Sequence, residues 1–338
     1  MTSKPKIIFA GTPKFGQTIL ERLIKYMPSF TLSPYMPSFV LSSRGPFQPF
    51  LVITAPDKPV GRKKILTPPP VKILAERYRI PVLQPEKINN YKFTIESHEP
   101  DLIIVAAYGQ ILPKEILEIP KYGCLNVHPS LLPRWRGASP IQYAILEGDA
   151  EAGVSIILMD EKIDHGSIVS LKKLNEENVK WTHAELEDKL ADLGAKLLIE
   201  TIPKWLKGEI KPQPQDESQA TYTKILERDD GKIDWRKSAD EIERQVRAFN
   251  PWPGSFCFLS QKGKDLRLKI LKVGISLQKT HGPFGIRGKT FLAPNNRIAV
   301  QTGRDFLIIE ELQLEGKKSM TSEEFLEHYP NFIGQILE

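Results

Sequence analysis

The sequence predicts an α/β protein that begins with a doubly wound, mostly parallel sheet and ends with a small β-barrel. Short apolar runs alternate with helical patterns through residues 1–208, which is typical of βαβ units. The run 102–106 is apolar without a break, as expected of a strand covered on both faces. After the polar, proline-bearing stretch 211–218, short strand-like runs are separated by glycine turns, which favours a barrel.

The elements follow in order along the chain. We predict strands at 6–10, 50–54, 102–106, 123–127 and 154–159, and helices at about 15–25, 71–78 and 182–206. A glycine turn at 11–13 ends the first strand, and Pro70 begins the second helix. We interpret 209–228 as a linker between domains at 1–208 and 229–338. The second domain is predicted to hold a helix at 239–249 and strands at 267–273, 297–301 and 306–310.

Composition limits the class of protein. A chain of 338 residues suggests two domains. The sequence has neither an apolar run of ~18 residues nor the pattern of a signal peptide, so we expect a cytoplasmic protein that makes no membrane contact. We also expect a monomer. The two cysteines and six histidines show no metal-ligand spacing, which predicts free thiols and no metal. A net charge of +6 favours an anionic partner.

One short repeat stands out. The motif Tyr-Met-Pro-Ser-Phe at 26–30 recurs at 35–39, inside the segment 26–49. Because surface loops absorb insertions at low cost, we interpret it as a local duplication within a loop.

Asn126 and His128 lie two residues apart at the end of a predicted strand, so their side chains can point to the same side. An asparagine amide can donate to an oxygen that becomes negative, and a histidine can move a proton near neutral pH. Pro129 and Pro133 bracket the turn that follows, which is suited to forming the wall of a binding site. The alternative is a buried structural histidine, the commoner role for a lone one.

Asp164 lies in the polar turn 162–166 between two apolar runs. An aspartate in a turn commonly accepts hydrogen bonds from its own backbone. Spacing alone therefore favours a turn-making role for Asp164 over a chemical one.

The stretch Asn-Val-His-Pro-Ser-Leu-Leu-Pro-Arg-Trp-Arg-Gly at 126–137, followed by Asp-His-Gly at 164–166, resembles the signature of the folate-dependent formyltransferases. The resemblance spans nearly the whole chain and includes Ile-Ile-Phe-Ala-Gly-Thr-Pro at 7–13, Pro-Asp-Lys-Pro-Val-Gly-Arg at 56–62 and Arg-Ala-Phe-Asn-Pro-Trp-Pro at 247–253. It implies a Rossmann-like formyltransferase domain and a C-terminal barrel resembling an OB fold. The implied co-substrate is 10-formyltetrahydrofolate, without a metal.

The resemblance also implies roles for individual residues. Asn126, His128 and Asp164 match the catalytic trio, and the folate-contacting turn is matched by Ser130, Leu131, Leu132 and Pro133. The implied acceptor is initiator methionyl-tRNA, whose formylated product serves translation initiation.

A loop after the second predicted strand matches the one that approaches the acceptor end of the tRNA. From this loop we predict tRNA contacts at Arg62, Lys63 and Lys64. This chain departs from the family where Lys58 replaces the usual arginine and Lys63 replaces a frequent glycine. We therefore expect a shorter and stiffer loop.

The second domain contains a strongly basic stretch, 262–304, in which ten basic residues stand against Asp265 as the only acid. Concentrated positive charge suits contacts to phosphates, although a solvated basic face is the alternative. From this stretch we predict tRNA contacts at Lys262, Lys264, Arg267, Lys269 and Arg304.

Three other functions compete with formylation of a tRNA. A formyltransferase acting on a small amine and a formyltetrahydrofolate hydrolase would share the trio, but both should lack the basic barrel domain. A non-catalytic RNA-binding protein would explain the basic stretch and leave the trio unexplained.

Overall fold

The computed structural model describes residues 4–27, 45–61, 63–176, 180–261, 263–275 and 285–338, except for the side chains of residues 261 and 264. The repeat-bearing segment predicted as a loop lies mostly outside these residues. Within them, no helix is long and apolar enough to cross a membrane.

The chain alternates strands and helices in the first part and is mainly strand in the last. The helices are α1 (Lys14–Lys25), α2 (Pro70–Arg77), α3 (Lys92–Ser97), α4 (Lys114–Leu117), α5 (Pro140–Glu147), α6 (His183–Leu206), α7 (Ala239–Phe249) and α8 (Ser322–His328). The strands are β1 (Ile7–Gly11), β2 (Leu51–Ile53), β3 (Lys58–Val60), β4 (Ile65–Thr67), β5 (Val82–Leu83), β6 (Leu102–Ala106), β7 (Cys124–His128), β8 (Arg136–Gly137), β9 (Gly153–Leu158), β10 (Ser167–Lys173), β11 (Tyr222–Thr223), β12 (Ser255–Gln261), β13 (Lys264–Ile275), β14 (Thr290–Ala293), β15 (Arg297–Gln301), β16 (Phe306–Leu314) and β17 (Met320–Thr321).

Two compact units make up the fold. The first comprises Met1–Gly137, Glu151–Glu177 and Glu187–Thr223, and the second comprises Ala138–Ala150, Asn178–Leu186 and Lys224–Glu338. The segment 209–228, predicted as a linker, therefore belongs to the first unit as far as Thr223. The domain bounds of 1–208 and 229–338 stay a prediction.

A seven-stranded sheet in the order β10-β9-β7-β6-β1-β2-β5 forms the centre of the first unit. The five strands from β7 to β5 are parallel, and β9 and β10 are antiparallel additions at the β7 edge. β1, β6 and β7 are buried along their whole lengths because helices cover both faces of the sheet. On one face, Ile95 and Ile116 pack against Ile103. On the other, Gly194 of α6 lies so close to β7 that an added Cβ would stand 2.8 Å from Cγ1 of Val127.

The second unit has an antiparallel half-barrel in the order β12-β13-β16-β15-β14, with β17 paired to β16. Its core is filled from alternate positions of the strands and from α7 and α8, including Ile242, Leu268, Ile309 and Phe325. Serine and threonine caps begin these two helices, since Ser238 accepts from the backbone N–H of Glu241 in α7 and Thr321 makes the equivalent bond in α8. The predicted fold class, an α/β sheet followed by an OB-like barrel, is confirmed.

Candidate active site

Asn126 and His128 end β7 at the carboxyl edge of the parallel strands, where ligands of such sheets bind. Both lie on the face of the sheet that carries Cys124, because side chains alternate along a strand. The exposed fractions are 9% for Asn126 and 4% for His128. β9 runs beside them and places Ser155 opposite His128.

The ring of His128 is oriented by a backbone carbonyl. Its Nε2 lies 2.9 Å from the carbonyl oxygen of Trp135. A carbonyl can only accept, so Nε2 must carry a hydrogen and donate it. Nδ1 is then the only ring nitrogen that can take up or release a proton, and it faces Asp164 at 3.5 Å from Oδ1.

Asp164 lies in the connection between β9 and β10, and its carboxylate joins three parts of the chain. Oδ1 accepts from Nδ2 of Asn126 at 3.2 Å, and Oδ2 accepts from the backbone N–H of Gly137 at 2.8 Å. The backbone of Asp164 is left-handed, with φ of 48°, a conformation that aspartate adopts more readily than most residues. These contacts reach across the fold and are not the bonds of a turn-making aspartate to its neighbours. The structure thus brings Asn126, His128 and Asp164 together.

The turn 130–133 begins two residues after His128 and is hydrogen-bonded to β9. The backbone N–H of Leu132 donates to Oγ of Ser155 at 3.0 Å, and that hydroxyl donates to the carbonyl of Ser130 at 2.7 Å. The hydroxyl of Ser130 in turn donates to the carbonyl of Arg134 at 2.6 Å. Leu132 is buried, whereas Leu131 and Pro133 are partly exposed. The sequence analysis missed Ser155, which only its register opposite His128 would have revealed.

A second missed residue is Gln215, from the segment predicted as a linker. Its side-chain amide donates to the carbonyl oxygens of Asp164 and Gly166, each at 2.8 Å. The sequence offered no signal for this contact, because Gln215 stands in a polar, proline-bearing stretch that resembles any connecting segment.

No group of three His, Cys, Asp or Glu side chains with the spacing of a metal site occurs among the residues that the structure describes. The cluster itself offers an amide donor, an imidazole and a carboxylate. Such a set can stabilise an oxyanion and move a proton.

The predicted basic loop is a β-hairpin. β3 and β4 pair antiparallel, and Lys63 and Lys64 are exposed at its tip, whereas Arg62 lies outside the described residues. At the base of the hairpin the carboxylate of Asp57 is bound by Nζ of Lys72, at 2.8 and 2.9 Å. A hydrogen bond from Gln84 and this ion pair lower the pKa of Asp57.

The basic residues predicted in the second unit do not form one patch. Arg267 and Lys269 share the face of β13 that is turned away from the core, where the guanidinium of Arg267 stacks on Phe256 at 3.5 Å. Arg304 is exposed in the turn before β16, at the opposite end of the sheet, about 20 Å along the strands from Lys269. Lys262 and the side chain of Lys264 lie outside the described part of the chain.

The sequence of this chain matches known protein families and individual proteins. Residues 42–202 match the family model described as formyl transferase, and residues 225–330 match formyl transferase, C-terminal domain. The methionyl-tRNA formyltransferase of Desulfotalea psychrophila is 43% identical over 323 residues, which cover 95% of this chain and 92% of that protein. The methionyl-tRNA formyltransferase of Bacillus velezensis is 42% identical, with 95% and 94% covered.

Solved structures share the fold at lower identity. WlaRD, a sugar 3N-formyl transferase, has a TM-score of 0.60 at 19% identity, with 94% of this chain and 100% of that chain covered. HypX from Aquifex aeolicus in complex with tetrahydrofolic acid has a TM-score of 0.60 at 15% identity, with 98% and 48% covered. At these identities the likeness extends to the fold and not to the acceptor.

Proposed function

Because the chain belongs to the methionyl-tRNA formyltransferase family, we propose that it transfers the formyl group of 10-formyltetrahydrofolate to the α-amino group of methionyl initiator tRNA. The product is formylmethionyl-tRNA, with which translation begins. The observation that carries the proposal for the site is the convergence of Asn126, His128 and Asp164 at the carboxyl edge of the sheet. The bound folate supplies an activated formyl group.

Asn126 is proposed to stabilise the oxyanion that forms when the amine attacks the formyl carbon. One hydrogen of its side-chain amide is engaged by Asp164. The amide has a second hydrogen, and that one is assigned to the oxyanion. The bond to Asp164 fixes the amide plane before the charge develops, as electrostatic preorganisation requires.

Nδ1 of His128 is proposed to take the proton from the attacking nitrogen and to hand it to the departing nitrogen. Nε2 cannot serve, because its hydrogen is committed to the carbonyl of Trp135. Once Nδ1 is protonated, the ring is a cation that faces Oδ1 of Asp164 at 3.5 Å. Asp164 therefore acts by stabilising that cation and by orienting Asn126.

Ser130, Leu131, Leu132 and Pro133 are proposed as the folate wall. The double hydrogen bond of Ser155 holds the backbone of this turn rigid, so the partly exposed side chain of Leu131 can present a fixed apolar surface. A rigid apolar wall with few polar groups suits the flat ring system of a folate.

Contacts to the tRNA are proposed at the hairpin tip, through Arg62, Lys63 and Lys64. In the second domain they are proposed at Lys262, Lys264, Arg267, Lys269 and Arg304. The exposure of Lys63 and Lys64 and the shared face of Arg267 and Lys269 support these positions. We further propose that the protein acts as a monomer in the cytoplasm.

A formylation assay tests the function. The purified protein is incubated with 10-formyltetrahydrofolate and methionyl initiator tRNA, and formylmethionine is measured after hydrolysis of the ester. Free methionine and uncharged initiator tRNA are the matched acceptor controls. Release of formate without formylmethionine would identify a hydrolase, and formylation of a nucleotide-linked amino sugar in place of the tRNA would identify a small-amine transferase; either result refutes the proposal.

A further inference from the structure

Residues 213–223, here called the strap, run between the start of β10 and the segment 135–137 and bond to both. On one side, the backbones of Gln213 and Ile168 exchange two hydrogen bonds of 2.8 Å. On the other, the backbone N–H of Trp135 donates to Oγ1 of Thr221, and that of Arg136 donates to the Thr221 carbonyl, both at 2.9 Å. The strap is thus hydrogen-bonded to the rest of the first unit near both of its ends.

Gln215 is the strap residue whose side chain reaches the 164–166 turn, and both the nitrogen and the oxygen of its amide are hydrogen-bonded. Its nitrogen donates to the carbonyls of Asp164 and Gly166, and its oxygen accepts from Nε and Nη2 of Arg136 at 3.0 and 2.8 Å. A guanidinium can only donate, so the amide oxygen must face Arg136 and the amide nitrogen must face the two carbonyls. The orientation of Gln215 is therefore determined by its partners.

Arg136 is held in turn by the strap. Its side chain is fully buried, and Nη1 and Nη2 donate to the two carboxylate oxygens of Glu217 at 3.0 and 2.6 Å. Nη1 also donates to the hydroxyl of Tyr222 at 3.0 Å. The bonds to Glu217 raise the pKa of Arg136 and lower that of Glu217. Because Glu217 and Tyr222 fix the guanidinium of Arg136, that guanidinium holds the amide oxygen of Gln215 in place.

The two carbonyls that Gln215 holds belong to the turn whose geometry matters most for the chemistry. Asp164 is left-handed there, a conformation in which the Cβ of an L-residue crowds the following carbonyl oxygen. Without the double donor, the turn can relax and carry Oδ1 away from Asn126 and His128. Gly137, which donates to Oδ2, belongs to β8, the strand that pairs with β11 of the strap.

We propose that Gln215 is a positioning residue for formyl transfer: through two hydrogen bonds to the 164–166 turn, it holds Asp164 at the distance at which its carboxylate serves Asn126 and His128. This inference rests on the proposed function for its kinetic consequence, but the geometry it describes can be tested without turnover.

Two variants separate this role from general support of the fold. Gln215→Glu keeps an acceptor for Arg136 and replaces the double donor with a carboxylate that repels both carbonyls. Gln215→Met keeps the length of the side chain and removes all four hydrogen bonds. The matched control is Gln219→Met, because Gln219 is an exposed glutamine of the same strap whose side chain donates to Asp216.

We expect Gln215→Glu to lower kcat about 10- to 100-fold, the scale of a ~1 Å misplacement, with KM for the folate within about threefold and Tm close to that of the parent. Gln215→Met should reduce kcat similarly and lower Tm as well. Gln219→Met should match the parent in all three. If Gln215→Glu keeps its kcat, or loses it only together with Tm, the positioning role is refuted.

The ring ¹⁵N NMR signals of His128 give a readout that needs no activity. They report which ring nitrogen carries hydrogen and how each is bonded, so they should shift in Gln215→Glu and stay unchanged in Gln219→Met. Unshifted signals in Gln215→Glu would overturn the inference even if the parent formylates methionyl-tRNA. If the signals shift in Gln215→Glu but the parent does not formylate methionyl-tRNA, the proposed function is refuted and the positioning of Asp164 stays supported.

Discussion

Replacing Asp164 with asparagine removes one negative charge from the site and keeps nearly the same shape. Asparagine also tolerates the left-handed backbone of this position, whose φ is 48°. The fold should therefore persist. The substitution does cost one hydrogen bond, because the two oxygens of Asp164 accept from Gly137 and Asn126, whereas an asparagine has a single oxygen.

The size of the effect follows from the 3.5 Å between Oδ1 of Asp164 and Nδ1 of His128. Two unit charges at that separation attract by about 1 kcal/mol in water and by about 5 kcal/mol at an effective dielectric constant of ~20. If the imidazolium forms in the transition state, these limits correspond to losses of roughly 10- and 3,000-fold in rate. The side chains of His128 and Asp164 are only 5% and 14% exposed, so we expect a loss of at least about 100-fold.

Single-turnover formylation of methionyl-tRNA at saturating folate measures this loss directly. The matched control is Asp160→Asn, which removes the charge from a second aspartate–histidine pair, Asp160 with His165, four residues earlier and more exposed. The control should stay within about twofold of the parent. A single-turnover rate for Asp164→Asn within twofold of the parent, at unchanged Tm, would refute the charge-stabilisation argument.

Three further predictions follow from the structure. Asn126→Ala should lower kcat by ~10²–10³ with folate affinity, measured by fluorescence titration, within a few-fold, and a kcat near that of the parent would remove Asn126 from the oxyanion site. Arg267→Gln with Lys269→Gln should weaken tRNA binding and flatten the slope of log affinity against log salt by about 0.7–0.9 for each phosphate that is no longer neutralised; an unchanged slope in filter binding would argue against this face. Burial raises the pKa of the Cys124 thiol to about 12 from 9.0, so the folded state retains a proton that the unfolded state loses, and stability should fall as the pH rises from about 9 towards 12. Cys124→Ala should reduce this fall in urea titrations, and an equal fall in the variant would assign it to other groups.

Much of the first unit could be predicted because its strands are covered on both faces. The run 102–106 is apolar throughout, and the structure places β6 at those same residues. Helix α7 begins and ends where it was predicted, because a serine cap and the Asn250-Pro251 pair fix its limits. The hairpin of β3 and β4 was missed, since Val60, Ile65 and Leu66 are exposed and show no alternation of apolar and polar residues.

The candidate site was predicted only in part, for a reason of distance along the chain. Asn126 and His128 could be paired from the alternation of a strand, and Asp164 joined them through a family resemblance. Ser155 and Gln215 escaped because serine and glutamine are ordinary surface residues, and only tertiary pairing brings them to the site. Spacing in sequence does not encode that pairing.

The strap also sets when the site can be finished during synthesis. Asp164 and Gln215 are 51 residues apart. At about 5–20 residues per second, the ribosome needs roughly 3–10 s to reach Gln215 after it has made the Asp164 turn. A nascent chain that already contains His128 and Asp164 therefore lacks the strap until that segment has been synthesised. A fragment truncated at residue 208 would stay in that unfinished state, so its inactivity could not be attributed to loss of the second unit alone.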